Sequence, residues 1–357
     1  MHDLSSFFYM VLQIFFRRSM IFDGKDSVCN MKRILAALVC LVLLCGCGPA
    51  IPEKSDGRLQ VVASVFPAYD FARKAGGEFA NVSLLLPPGA ESHSYEPTPA
   101  DILRVQQCDL FIYLGGESDA WVETILSAID MEGTALRMVD CVDLLEEQER
   151  EGMQSLPGHS HDHEHEDHDH DQESQGLGVV TGMDEHVWTA PENAATITRI
   201  IGGTLAGLDP EHSEAYQTAA EAYAAEIDRL DAKFSAFFDG LEDRTIIFGD
   251  RFPLLYFAEA YDLDYYAAFP GCGAQTEPSA ATVAFLTEKV REKGLSTVWY
   301  LEFSNHLVAD SIAEAAGAGT AMFHTCHNVS KAELEAGATY VSLMEGNLQT
   351  LKAAFGG

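Results

Sequence analysis

The chain has 357 residues, 47% of them hydrophobic and 10% aromatic, enough to bury two cores of ordinary size. Its formal charge of −33 excludes a general nucleic-acid binder, because phosphates would be repelled over most of the surface. An acidic surface suits cations, but it is common among soluble proteins and decides little alone.

Met31-Lys32-Arg33 is a basic start, Ile34 to Leu44 an apolar run, and Leu44-Cys45-Gly46-Cys47 a small-residue end. The run is too short to span a bilayer and has the layout of a secretory signal over 31–46. Its end also resembles the bacterial lipobox. That would make Cys47 the lipidated first residue of an extracytoplasmic protein anchored to the cell membrane; an alanine-type cut is the alternative. Residues 1–30 fit neither scheme and read as a start codon placed too early. Of eight cysteines, Cys108, Cys141, Cys272 and Cys326 then remain in an exported chain, where disulfides are permitted. No CxxC occurs, which argues against a cysteine zinc site.

After a polar tether over 47–58, an N-terminal lobe is expected over 59–208. Gln60 to Phe66 reads as a strand and Pro67 to Gly76 as a helix. Val82 to Leu86 is a second strand, stopped by Pro87-Pro88-Gly89. The loop that follows, PPGAESHSYEPTP, presents His93 between Glu91 and Tyr95, with Pro97 and Pro99 restricting the chain beyond it. A lone histidine in such a turn is more often a surface residue than a ligand. A helix is expected from Pro99 to Gln107, strands at Asp109 to Leu114 and Ala135 to Val139, and a helix from Trp121 to Ile129. This rhythm predicts a parallel sheet covered on both faces.

Within 142–183 the periodicity stops. HSHDHEHEDHDHD holds six histidines (His159, His161, His163, His165, His168 and His170) among six acidic residues, a solvated loop whose donors suit zinc-like ions. DEHVWTAP follows, with His186 between an acid and an aromatic and Pro191 opening a helix to about Gly207.

Residues 209–242 read as a linking helix. Tyr216, Tyr223, Ile227, Leu230, Phe234, Phe237 and Leu241 recur at steps of three, four or seven, one apolar stripe on a helix about 40 Å long. A second lobe is expected over 243–357, with strands at Thr245–Phe248, Tyr265–Phe269, Thr297–Leu301 and Thr320–Phe323. Gly249 to Pro253 is read as a turn. Helices are expected at Leu254–Tyr261, Ser279–Lys293, His306–Ala316 and Tyr340–Phe355. The predicted fold class is α/β: two lobes with mostly parallel sheets, joined by one long helix, with a site in the cleft.

Four ligand-type positions then fall at strand ends: His93, His186, Asp250, and His324 with His327. Imidazoles with one carboxylate fit tetrahedral Zn²⁺, whereas more oxygen donors would favour Mn²⁺. Each histidine alone is more often a satisfied polar residue; four such positions together favour a metal site.

The two histidine motifs, the His/acid loop between them and the long helix resemble the zinc/manganese ABC-transporter substrate-binding lipoproteins. The resemblance implies a monomeric capture protein that delivers an ion to a membrane permease, with His93 and His186 as ligands. It places a third ligand after the first strand of the second lobe and an acidic fourth nearer the C-terminus. Here the third-ligand loop, IIFGDRFPLLYF, offers only Asp250, and the C-terminal position offers His324. The expected set is therefore His93, His186, His324 and Asp250, with His327 and Glu302 in reserve, Glu302 also as an orienting group. Arg251 could instead pair with Asp250 and leave it structural. Cys272 and Cys326 stand where relatives carry a disulfide, and free buried thiols are the alternative. Three imidazoles favour Zn²⁺; Mn²⁺ or Fe²⁺ carriage is the alternative. A metal-dependent hydrolase is a different class, opposed by the lack of HExxH. A metal buffer or adhesin working through the His-rich loop is a third.

Overall fold

The computed structural model describes residues 57–91, 95–153, 182–271 and 277–356. The signal, Cys47, His93, the six histidines of 159–170 and Cys272 lie outside them. In the first lobe β1 (Leu59–Ala63) is flanked by β2 (Ala80–Leu84) and β3 (Leu110–Tyr113), with β4 (Thr134–Arg137) outermost. All three pairings are parallel, so each connection must cross over the sheet. Helices α1 (Phe66–Gly76), α2 (Pro99–Gln107) and α3 (Ala120–Ala128) make those crossings. β2 begins two residues earlier than the apolar run suggests, because Leu85 and Leu86 continue beyond it as buried loop.

Helix α2 starts where its sequence dictates. Thr98 caps it, Asp101 returns the bond to the Thr98 backbone, and Pro99 occupies the first turn. Tyr95 donates its hydroxyl to Asp101 at 2.9 Å and stacks edge-on against Trp121. The C-terminal side of the PPGAESHSYEPTP loop is thus pinned to α2 and α3.

Helix α4 (Pro191–Leu208) packs along α5 (Ser213–Phe238), the 26-residue helix anticipated by the aromatic stripe. Tyr223, Ile227, Leu230 and Phe234 of that stripe are buried. The second lobe repeats the first: β5 (Thr245–Phe252), β6 (Asp264–Pro270), β7 (Thr297–Leu301) and β8 (Gly319–Phe323) form a parallel sheet of order 6-5-7-8. Around it lie α6 (Leu255–Ala260), α7 (Ala280–Lys293) and α8 (Leu307–Ala316), followed by α9 (Lys331–Glu335) and α10 (Tyr340–Ala354). The expected turn at Gly249–Pro253 is replaced by strand: β5 runs on to Phe252, with its register on β6 shifting between Phe248 and Arg251. The shift lets the chain absorb Gly249 and Asp250 without leaving the sheet.

Each sheet has its first strand inside, so the chain order reverses between β1 and β3 and again between β5 and β7. Open parallel sheets bind ligands beyond the carboxyl ends of their strands at such reversals. One continuous apolar core runs through both lobes, from Phe71 and Trp188 through Phe234 and Phe257 to Phe323 and Tyr340. No helix among the described residues is long and apolar enough to cross a membrane.

Candidate metal centre

The carboxyl ends of β5, β7 and β8 face the loops after β2 and before α4 across a cavity with about 40 Å³ of open space. It is lined by His186, His327, Glu91, Arg251, Glu302 and Thr325, among others. Sites for drug-sized solutes are several hundred Å³, so this cavity has the scale of an ion with a water rather than an organic ligand.

His186 is buried, and its Nδ1 lies 3.0 Å from Asp184 Oδ1, which also accepts from the His186 backbone N–H at 2.7 Å. An Nδ1–H held by a carboxylate leaves the Nε2 lone pair for a metal and fixes the ring. Burial alone would lower the affinity of His186 for protons, but the charge and hydrogen bond of Asp184, with Glu185 beside it, outweigh burial and raise it. Glu185 is itself buried, packed where Gly116 has no side chain; a Cβ there would collide with it. It faces Asp119, whose carboxyl is pushed up to about 7 by burial and then by Glu185, against bonds from the Leu114 N–H and Ser64 hydroxyl. Acidic groups therefore underlie the His186 side of the cavity and make its field attractive to cations.

His327 stands opposite. Its ring centroid is 5.6 Å from that of His186 and 5.0 Å from that of Trp188. Two imidazoles on one tetrahedral zinc, with Zn–N near 2 Å, place their centroids about 5 Å apart. The loop carrying His327 is fastened on both sides of the cleft. Glu302 accepts from the Thr325 backbone N–H at 2.8 Å and from the Thr325 hydroxyl, and that hydroxyl accepts from the His327 N–H at 3.2 Å. The His327 carbonyl accepts from the Phe66 N–H, and the Asn328 amide donates to the Pro87 and Ala90 carbonyls at 2.8 and 2.9 Å. Trp188 Nε1–H donates to the Thr325 carbonyl at 2.9 Å.

The other expected ligands lie elsewhere or are committed. His324 does not line the cavity. It is buried behind the loop, and its Nδ1 accepts from the Cys326 N–H at 2.9 Å. A neutral imidazole that accepts at Nδ1 carries its proton on Nε2 and has no lone pair left for a metal. Asp250 accepts from the Arg251 N–H at 2.8 Å and the Leu301 N–H at 3.2 Å, and it lines a neighbouring cavity instead. Arg251 pairs not with Asp250 but with Glu91 across the cleft, its two terminal nitrogens 3.4 and 3.5 Å from the two carboxylate oxygens. Gly249 itself has no room for a side chain: a Cβ there would lie 2.4 Å from the Ala309 Cα of α8. Cys326 is a free, buried thiol, while Cys272 lies outside the described residues. Among the described residues no three His, Cys, Asp or Glu side chains form a group that could hold an ion. The third histidine motif position, His93, is outside them, but Ala90 and Glu91 just before it line the cavity. Sequence reasoning did not single out Asp184 or Asn328; the first had a signal, an acid two residues before a histidine, and the second had none.

Two α/β lobes about a long helix, with an ion-sized cleft at their strand ends, are the architecture of a substrate-binding component of a transport system. The family model of ZnuA, the periplasmic component A of zinc-uptake complexes, matches residues 61–354, and the chain belongs to that family. It is 30% identical over 318 residues to the high-affinity zinc uptake system protein ZnuA of Bacillus subtilis, covering 88% of this chain and 94% of that one. It is 28% identical over 328 residues to the zinc-binding lipoprotein AdcA of Streptococcus pneumoniae, covering 90% of this chain but only 61% of the relative's length. Among solved structures, the Zn(II)-bound ZnuA-like domain of AdcA matches with a TM-score of 0.65 at 26% identity, over 84% of this chain and 99% of that one. The metal-dependent lipoprotein YcdH of B. subtilis matches at 0.67 and 26%, over 83% and 99%.

Proposed function

We propose that the protein captures a zinc ion outside the cytoplasm and delivers it to an ABC permease in the membrane. The observation that carries this reading is the facing pair of His186 and His327 in an ion-sized cavity, in a member of the zinc-uptake family. His93, His186 and His327 are the proposed ligands, each through one ring nitrogen, with water completing the shell. His327 takes the part the sequence suggested for His324, and Asp250 is not included. Three neutral imidazoles are a donor set that zinc accepts readily and Mn²⁺ does not.

The relatives named as a zinc uptake system protein and a zinc-binding lipoprotein support the same cargo. The lipoprotein name supports a lipid-anchored location outside the cytoplasm, for which Cys47 is the proposed anchor. The role is that of a carrier rather than an enzyme. The histidines at 159, 161, 163, 165, 168 and 170 are proposed as an accessory collector that raises the local metal concentration without forming the main site. The test is competitive zinc titration against a chelator of known affinity, on the parent and on His93→Ala, His186→Ala and His327→Ala. The expected result is one tight zinc per parent chain and none of comparable affinity in any variant. A parent that binds no zinc tightly, or variants that all bind like the parent, would overturn the assignment.

A further inference from the structure

His186 belongs to the first lobe and His327 to the second, yet the loop carrying His327 is fastened chiefly to the first. It leaves β8 under the hold of its own lobe, where Glu302 accepts from Thr325. From there its bonds turn across the cleft. Trp188 Nε1–H donates to the Thr325 carbonyl at 2.9 Å, and the Phe66 N–H donates to the His327 carbonyl at 3.2 Å. The Gly89 N–H donates to the Val329 carbonyl at 2.9 Å. Between the last two sits Asn328, 3% exposed, whose amide nitrogen donates to two first-lobe carbonyls, Pro87 at 2.8 Å and Ala90 at 2.9 Å. A side-chain amide has two N–H donors, and here both cross the cleft. The amide oxygen accepts from the Val329 N–H at 2.8 Å, which keeps the group turned toward those carbonyls.

On the capture reading above, we propose that Asn328 is a positioning residue: it fixes His327 to the first lobe and so sets the spacing of the His186 and His327 imidazoles. The 5.6 Å between their ring centroids is then a property of one fastened unit, not of two lobes that must find each other. A ligand already held in place loses little freedom when the ion binds, and an ion held by such ligands leaves slowly. Asn328 acts on the ion through His327, its neighbour in the chain, and not by touching it.

The test measures zinc affinity by chelator competition, zinc release by mixing loaded protein with excess chelator, and the visible spectrum of the Co²⁺-loaded protein. It compares the parent with Asn328→Ala, Asn328→Ser and Asn347→Ala. Asn347 is the control, another buried amide, bonded to both backbone groups of His324 within the second lobe. Asn328→Ala is expected to lower zinc affinity about 10–100-fold, mostly through faster release, and to alter the Co²⁺ bands as His327 loses its place. Asn328→Ser, which keeps one donor, should fall between it and the parent, and it decides the matter if Asn328→Ala does not fold. Asn347→Ala should lower the melting temperature of the metal-free protein, yet bind and release zinc within about threefold of the parent. Asn328 variants that bind and release zinc like the parent, or an Asn347→Ala that loses as much affinity as they do, overturn the proposal. A parent that takes up no zinc tightly overturns the capture reading itself, so the two failures are distinguishable.

Discussion

At the scale of single residues, His327 and His324 differ by three positions and by where they stand: His327 lines the cavity, while His324 is buried and does not. His186 sets its Nδ1 against Asp184, whereas His324 spends Nδ1 on the Cys326 amide. His327→Ala is therefore expected to lower zinc affinity more than about 100-fold, beyond the 10–100-fold typical of outer partners, while His324→Ala leaves it near the parent value. Chelator competition on the two purified variants decides; a loss confined to His324→Ala would reverse the assignment. Sequence alone could not make this choice. Cys326 adopts a left-handed backbone at φ 64°, rare for a side chain without an amide or carboxyl group, and the turn carries the chain from the buried His324 to the cleft. Nothing in the string Phe-His-Thr-Cys-His announces that reversal. The buried acid Asp119 yields a second expectation at this scale. Its folded-state affinity for protons is raised to about 7, so between its unfolded value near 4 and about 7 the folded protein binds more protons than the unfolded. Its contribution to stability is therefore greatest at low pH and falls as pH rises through that window. Metal-free Asp119→Asn, which cannot ionise but can still accept from Leu114 and Ser64, should gain thermal stability over the parent at pH 8 and little at pH 5. An equal difference at both pH values would contradict the linkage.

At the scale of elements, α5 was legible in outline because a helix buried along one stripe must repeat its apolar residues every three or four positions. The parallel strands were legible for a related reason: covered on both faces, they read as unbroken apolar runs. β5 was read too short, since Gly-Asp-Arg has the composition of a turn, and only the bulge against β6 shows how a strand can contain it. What the stripe does not disclose is the polar anchoring of the helix. Asp70 on α1 is fully buried and accepts from the Tyr223 hydroxyl of α5, the Tyr340 N–H at the start of α10, and Arg73. One carboxylate thus joins the linking helix to elements from both ends of the chain. Tyr223→Phe removes one of its donors and should cost about 1.5–3 kcal/mol, the usual value for a bond to a charged group. Urea denaturation with an unchanged slope and a lowered midpoint would verify it; an unchanged midpoint would mean that the remaining donors suffice.

At the scale of the whole molecule, two lobes with separate sheets share one apolar core. Trp188 lies beside the first lobe's histidine and Trp299 on β7 of the second, yet both belong to that core. The lobes should therefore unfold together. Tryptophan fluorescence and far-ultraviolet circular dichroism are expected to give one coincident transition in metal-free protein, and saturating zinc should shift it upward, by about 2.7 kcal/mol at a hundredfold excess over Kd. Two separated transitions would break the shared-core account.

The stitching of the His327 loop to the opposite wall, through Phe66, Pro87 and Ala90, has a calorimetric consequence. A cleft whose walls are already bonded to each other has little apolar surface left to hide when its ion arrives. Heat capacity changes on binding track the apolar area removed from water. Zinc uptake by this protein should thus release nearly the same heat across a range of temperatures, after correction for buffer and displaced protons. A steep temperature dependence of that heat would reveal a closing motion that the bonded walls do not allow.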